Sequence, residues 1–223
     1  MNPLYQREPF RTATGDCLRP GGVELTARGL DVCGFRTGQR VADLGCGPGV
    51  TLALLRERGL RPVGLDVSHS MLKEAARRVP ACLAAGTLES LPFRDACLDG
   101  IVCECVLSLS EAPERALAEM RRILRPGGRV LLTDILLREG SGRTGQGCAR
   151  GAVSPVVLAE RLERQDLVVA LYEDHSRRLA ELAGRLLFQG VERSELMAWM
   201  GRCPEGACSG TRLGYGLFVA EKV

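Results

Sequence analysis

"VADLGCGPGV", Val41 to Val50, places Gly45, Gly47 and Gly49 at alternate positions directly behind a short apolar run. A main chain with so little side chain on it admits a ligand against its backbone, with the N-terminus of the next helix facing that ligand. "RVADLG" before the glycines reads as a strand, and "VTLALLRERG" after them as a helix that stops at Gly59. A phosphate-binding P-loop would need Gly-Lys-Ser or Gly-Lys-Thr at the end of the turn, and no lysine is near. A dinucleotide turn would need its third glycine at the sixth position, where this chain has Val50.

The alternation of apolar runs and amphipathic stretches continues outward, which argues for parallel strands joined by helices. "PVGLDV" reads as a second strand, and Ser68 as the cap of a helix with Met71, Leu72, Ala75, Ala76 and Val79 on one face. "ACLAA" and "LDGIVCECVL" read as strands three and four. "EAPERALAEMRRIL" reads as a helix that buries Leu117, Met120 and Leu124 and stops at "RPGG", and "RVLLTDILL" as strand five. Past the glycine-rich "REGSGRTGQGCARG", the reading is a helix in "SPVVLAERLERQ" and a strand in "DLVVALYED". Helical stretches at Arg177–Phe188 and Arg193–Met200 and a last strand in "GYGLFVAEKV" complete it.

This pattern predicts one α/β domain over residues 1–223: a doubly wound, seven-stranded, mostly parallel, Rossmann-like sheet with extra helices before the last strand. Residues 1–37 are expected as an N-terminal lid, with "TGDCLRPGG" (Thr14 to Gly22) folding over the pocket. Residues 38–138 are expected as the ligand-binding core, and 139–223 as a substrate-side half with a helical insertion at 174–205.

Composition sets outer limits. With 45% hydrophobic and 26% charged residues and a net charge of +3, neither a nucleic-acid nor a membrane surface is indicated. No run approaches the roughly eighteen apolar residues of a membrane helix, and "MNPLYQREPF" does not read as a signal peptide, so a cytoplasmic protein is expected. Ten cysteines beside only two histidines, His69 and His175, support no metal site. Cys82, Cys97, Cys103 and Cys105 sit in apolar runs and read mainly as packing, and no role is read for the pair Cys203 and Cys208.

With Asp43 two residues before the first glycine, "VADLGCGPG" resembles the first motif of class I S-adenosylmethionine-dependent methyltransferases, in particular their type 11, UbiE-like group. "VGLDVSHSML", "AAGTLESLPFRDACLDGIVCECVL" and "LRPGGRVLLTD" resemble that family's later motifs in order, from Gln39 to Asp134. The resemblance implies an S-adenosylmethionine cofactor and a small-molecule acceptor. It puts the backbone of Gly45, Cys46 and Gly47 beside the methionine part, with Asp43 holding the turn or reaching the amino group through water. Asp66 would take both ribose hydroxyls, as a bidentate carboxylate can, and Val67 and Met71 would sandwich the adenine. Thr87 stands where the family usually has an aspartate for the adenine amino group, and Leu88 offers its N–H. Cys103 and Glu104 fall at the sulfonium end, and Arg19 is a candidate for the cofactor's carboxylate.

The acceptor is left open between two chemistries. Glu104 is a candidate general base for an oxygen, nitrogen or carbon acid, with His175 as a possible assistant. Alternatively, "CVLSL" from Cys105 and "GCARGAV" around Cys148 resemble segments of arsenite methyltransferases, more weakly because Glu104 replaces their asparagine. That likeness implies a soft metalloid held by the thiolates of Cys105 and Cys148, with Cys17 the nearby N-terminal candidate. A non-catalytic cofactor-binding module would keep every motif of the first half.

Overall fold

The computed structural model describes residues 8–139, 149–199 and 212–223, so Cys148, Cys203 and Cys208 lie outside the described residues. Seven strands form one sheet: β1 (Arg40–Leu44), β2 (Arg61–Asp66), β3 (Cys82–Ala85), β4 (Leu98–Glu104), β5 (Leu124–Glu139), β6 (Leu167–Asp174) and β7 (Arg212–Lys222). Their order is β3-β2-β1-β4-β5-β7-β6, with β7 running antiparallel to both neighbours and the other pairings parallel. The strand order reverses beside β1, so the carboxyl ends of β1 and β4 open a crevice there.

Both faces of the sheet are covered. On one, Leu44, Leu98, Ile101, Leu117, Met120, Ile123 and Leu158 join β1 and β4 to α5 (Pro113–Ile123) and α6 (Pro155–Glu163). On the other, Leu25, Leu30, Leu55, Val102, Leu131, Leu179 and Leu217 join the sheet to α2 (Gly22–Cys33), α3 (Val50–Glu57) and α7 (Ser176–Phe188). The side chains of β4 alternate between the two cores, as a strand buried on both faces must. Gly29 lets α2 lie flat on β5, because a Cβ there would stand 2.3 Å from Leu131 Cδ1. Ser68 caps α4 (His69–Arg78) as the sequence predicts, its hydroxyl accepting from the Met71 N–H, and Ser154 does the same for α6.

Two departures from the sequence reading have physical reasons. The N-terminal region is helical, with α1 (Glu8–Thr14) and α2, and Phe10 and Ala13 of α1 pack with Leu182 and Leu186 of α7 and Leu196 of α8 (Arg193–Trp199). In α2 the spacing of the buried Leu25, Gly29, Leu30 and Cys33 is a helical stripe. Second, β5 starts at Leu124, so "RPGG" lies within the strand. A register slip absorbs it: Leu98 pairs with Leu124, then Gly100 with Arg129. Among the cysteines expected as packing, Cys103 is buried and Cys97 partly so, but Cys82 on edge strand β3 is exposed. Among the described residues no helix is long and apolar enough to cross a membrane.

Candidate functional site

At the carboxyl ends of β1, β2 and β4 lies a cavity of about 170 Å³, whose wall includes Asp43, Gly45, Cys46, Gly47, Asp66, Val67, Met71, Leu88, Glu104 and Cys105. The glycine turn at its base has Gly45, Gly47 and Gly49 at φ of 78°, 50° and 83°. Gly45 is constrained twice, since a Cβ there would also stand 2.3 Å from Val106 Cγ2. The Gly45 and Cys46 amides both donate to the Leu65 carbonyl, at 2.7 and 2.9 Å. Asp66 ties this turn to the end of β2: its Oδ2 accepts from the Gly47 N–H and its Oδ1 from the Ser68 N–H, each at 2.8 Å.

Two of the expected cofactor residues are elsewhere. Thr87 is exposed and absent from the wall, and it pairs with Ser90 in a tight bridge. Cys103 is fully buried among the residues packed under α5, so strand alternation points it away from the crevice that its neighbour Glu104 meets. Burial raises its thiol well above the ordinary range, and it acts as core. His175 is also off the wall, its Nε2 2.9 Å from Glu173 Oε2, and Glu173 is in turn held by Arg28 at 2.7 Å.

Arg19 does reach the wall, but not as an open hand. It and Glu104 are both buried, with Arg19 Nη2 2.9 Å from Glu104 Oε2. Nη2 also donates to Thr51 Oγ1 at 3.0 Å and to Thr26 Oγ1. The two threonine hydroxyls lie 2.9 Å (Thr26) and 3.1 Å (Thr51) from the Glu104 carboxylate. Within this network two buried atoms have no hydrogen-bond partner, Arg19 Nε and Asp43 Oδ2. The segment carrying Arg19 runs over the cavity, with Phe10, Asp16, Cys17, Leu18 and Pro20 on the wall. It is pinned to α4 by Arg11–Glu74 at 2.6 Å and by Asp16–Arg78.

Burial first, and then the negative charge of Glu104, raise the Asp43 carboxyl to about 8, against the pull of Arg19. Asp43 therefore holds a proton in the native state where an unfolded aspartate has lost it, and the native state binds more protons than the unfolded one. Stability falls as pH rises through the window from about 4 to about 8, by at most about 1.4 kcal/mol per unit. Urea titrations at pH 5, 6, 7 and 8 should show this decline, flattened in Asp43→Asn; equal slopes for the two proteins would contradict it.

Cys105 lies on the wall at φ 58°, an unusual conformation for a side-chain-bearing residue. Its amide donates to the Thr133 carbonyl at 2.7 Å, and its Sγ lies 3.1 Å from the Tyr215 hydroxyl, itself 2.8 Å from Thr133 Oγ1. The wall also includes Val106, Leu109 and Ile135, with Ser108 and Asp134 as polar groups. Asp134 is fully buried and accepts from the Ser108 hydroxyl at 2.6 Å and amide at 2.8 Å, so it fixes the loop after β4. Burial raises it to about 6 despite these bonds. Sequence reasoning missed Asp134 and Tyr215; an aspartate inside the apolar "RVLLTDILL" was the available signal. Among the described residues no group of three or more metal-ligating side chains could hold a metal ion.

A family model described as a methyltransferase domain matches residues 42–132. The chain is similar to a demethylmenaquinone methyltransferase of Renibacterium salmoninarum, 35% identical over 128 residues that make up 56% of this chain and 54% of that protein. It is also similar to a malonyl-[acyl-carrier protein] O-methyltransferase of Erwinia billingiae, 37% identical over 45% of this chain and 40% of that one. The chain thus spans about half the length of these curated relatives. Among solved structures it resembles the [4+2]-cyclase SpnF, with a TM-score of 0.71, 25% identity, and coverage of 89% of this chain and 79% of that one. A phosphoethanolamine N-methyltransferase of Haemonchus contortus shares the fold at a TM-score of 0.74 and 19% identity, over 96% of this chain and 56% of that one. The fold is thus that of the class I methyltransferases, and residues 42–132, which carry the glycine turn, match the methyltransferase domain.

Proposed function

We propose that this chain transfers a methyl group from S-adenosylmethionine to a small molecule. One observation carries the reading: a single cavity is lined both by the glycine turn with Asp66 and by Cys105, Leu109 and Ile135. The residues fit the cofactor chemically. Arg19 Nε and Asp43 Oδ2, buried without partners, are a donor and an acceptor suited to an amino acid's carboxylate and ammonium. The Asp66 oxygens each accept one backbone N–H and keep lone pairs for ribose hydroxyls. Val67 and Met71 flank the adenine and the Leu88 N–H reads its edge, while the segment around Arg19 serves as a lid.

The cofactor, when bound, supplies a methyl group on a sulfonium that a nucleophile displaces in line. Glu104 is a poor general base for that step, because Arg19 and two threonine hydroxyls already hold its carboxylate. The acceptor then brings its own electron pair, as an amine, an ionised carbon or oxygen acid, or a thiolate does. A metalloid held by Cys105 and Cys148 meets the same requirement; in its favour, Cys105 and Cys17 both lie on the wall. The relatives named for demethylmenaquinone and for malonyl-[acyl-carrier protein] point to apolar or acyl acceptors.

Transfer of label from methyl-labelled S-adenosylmethionine tests the reading. The panel would offer quinols and acyl thioesters, small amines and acids, and arsenite with glutathione. Turnover on one class is expected, with Glu104→Gln keeping at least a tenth of it. Loss of turnover on arsenite in Cys105→Ser and Cys148→Ser would select the metalloid acceptor. Cofactor binding with no transfer to any class would favour a binding module or, as the name of the cyclase neighbour suggests, another reaction on this fold.

A further inference from the structure

A second cavity, of about 260 Å³, adjoins the first. Its wall is built from α1, from the start of α2 and from Arg178, Glu181, Leu182 and Arg185 of α7. Cys17, Arg19 and Pro20 line both cavities, so the segment that carries them divides the two.

Three features of this wall suit a negatively charged guest. α2 starts at Gly22 after Gly21, both at positive φ (54° and 79°), and no side chain caps its first amides. Glycine at both positions leaves the amides of a 12-residue helix open to a ligand, with the positive end of the helix dipole behind them. Arg19 is the second feature. Only 8% exposed, it keeps Nε without a partner, and Nη1 has a proton to spare beyond the one given to the Cys17 carbonyl at 2.9 Å. It can therefore donate to a guest in this cavity as well as to one in the first.

The third feature is the balance of charge. Arg178 is held between Glu24 at 3.3 Å and Glu181 at 3.6 Å, and Glu181 is also held by Arg177 at 3.1 Å. Arg19 is matched by Glu104. Arg185 has no ion-pair partner among the described residues, so the unmatched charge on the wall is positive.

We propose that the second cavity is a binding site for the oxyanion, a carboxylate or phosphate, of a small molecule. The amides at the start of α2 and Arg19 take its oxygens, and Arg185 supplies the compensating charge from α7. The rest of the molecule has two places to go. Directed past Cys17 and Pro20, it is the acceptor reaching into the first cavity, a case that rests on the reading of that cavity as the cofactor site. Held outside, it is an anionic effector acting on the segment that both cavities share.

Calorimetric titration of inorganic phosphate and of malonate at constant ionic strength tests the site. At least one of these probes should bind saturably, one to one. Arg185→Ala should weaken that binding about tenfold, and Arg185→Lys, which keeps the charge but not the fork, about threefold. Arg185 is exposed and off the wall of the first cavity, so neither variant should change the fold or the binding of S-adenosylhomocysteine. The anion should also bind to protein saturated with S-adenosylhomocysteine. No saturable binding of either probe, binding indifferent to Arg185, or strict competition with S-adenosylhomocysteine overturns the inference. Failure of S-adenosylhomocysteine to bind, with the anion still held through Arg185, overturns the cofactor reading instead and leaves this site standing. The labelled-methyl assay separates the two sources. The probe competes with the acceptor if the site holds the acceptor's own oxyanion, and does not if the guest is an effector.

Discussion

Glu104→Ala is expected to cost the fold about 3–5 kcal/mol, the range for stranding one member of a buried ion pair. The change leaves the Arg19 guanidinium, 8% exposed, without its counter-ion. It also removes the carboxylate beside the Thr26 and Thr51 hydroxyls. Little relaxation is open to Arg19, because Pro20 beside it is buried and Arg11 and Asp16 pin the same segment to α4. The double variant Arg19→Met with Glu104→Leu removes both charges and should recover most of the loss, since a buried pair adds little beyond its apolar replacement. Urea denaturation of the single and double variants decides the matter. A single-variant loss below about 1 kcal/mol would mean that water or a side-chain rearrangement reaches Arg19, and that the segment over the cavity is not held there by this pair.

How far the sequence could be read depends on which signals are local. The strand–glycine–helix unit at Val41–Val50 was legible because three glycines at positive φ leave their mark in residue identity. Asp66 was legible as a wall residue because a carboxylate at the end of an apolar strand does not enter a core, and it lines the cavity. The seven strands followed from apolar runs of strand length, and the Ser68 cap from its place before a helical stripe. The N-terminal helices were not seen, since α2 scatters apolar residues beyond its buried stripe and has glycines at positions 21, 22, 29 and 34 that lower its helical signal. The pairing of Arg19 with Glu104 joins residues 85 positions apart. It needs the packed segment to bring it about, and nothing in either local stretch announces it. Cys103 and Glu104 were expected together at the sulfonium end, but strand alternation sends one to the core and the other to the cavity. Thr87 lies off the wall because the tight bridge it forms with Ser90 sets its direction, and residue identity alone carries no sign of that turn.

The most direct measurement of the central claim, that this cavity is an S-adenosylmethionine site built on Asp66, is a calorimetric titration of S-adenosylhomocysteine into the wild type and Asp66→Ala. The carboxylate makes hydrogen bonds that a charged acceptor strengthens, so its removal should weaken binding by about 1.5–3 kcal/mol, roughly tenfold to 150-fold. Asp66 also anchors the Gly47 and Ser68 amides, and thermal melts on the same samples will show how much of the fold goes with it. Saturable one-to-one binding to the wild type is expected, with this loss in a variant that still melts cooperatively. A wild type that binds no S-adenosylhomocysteine, or a folded variant that binds it unchanged, would contradict it.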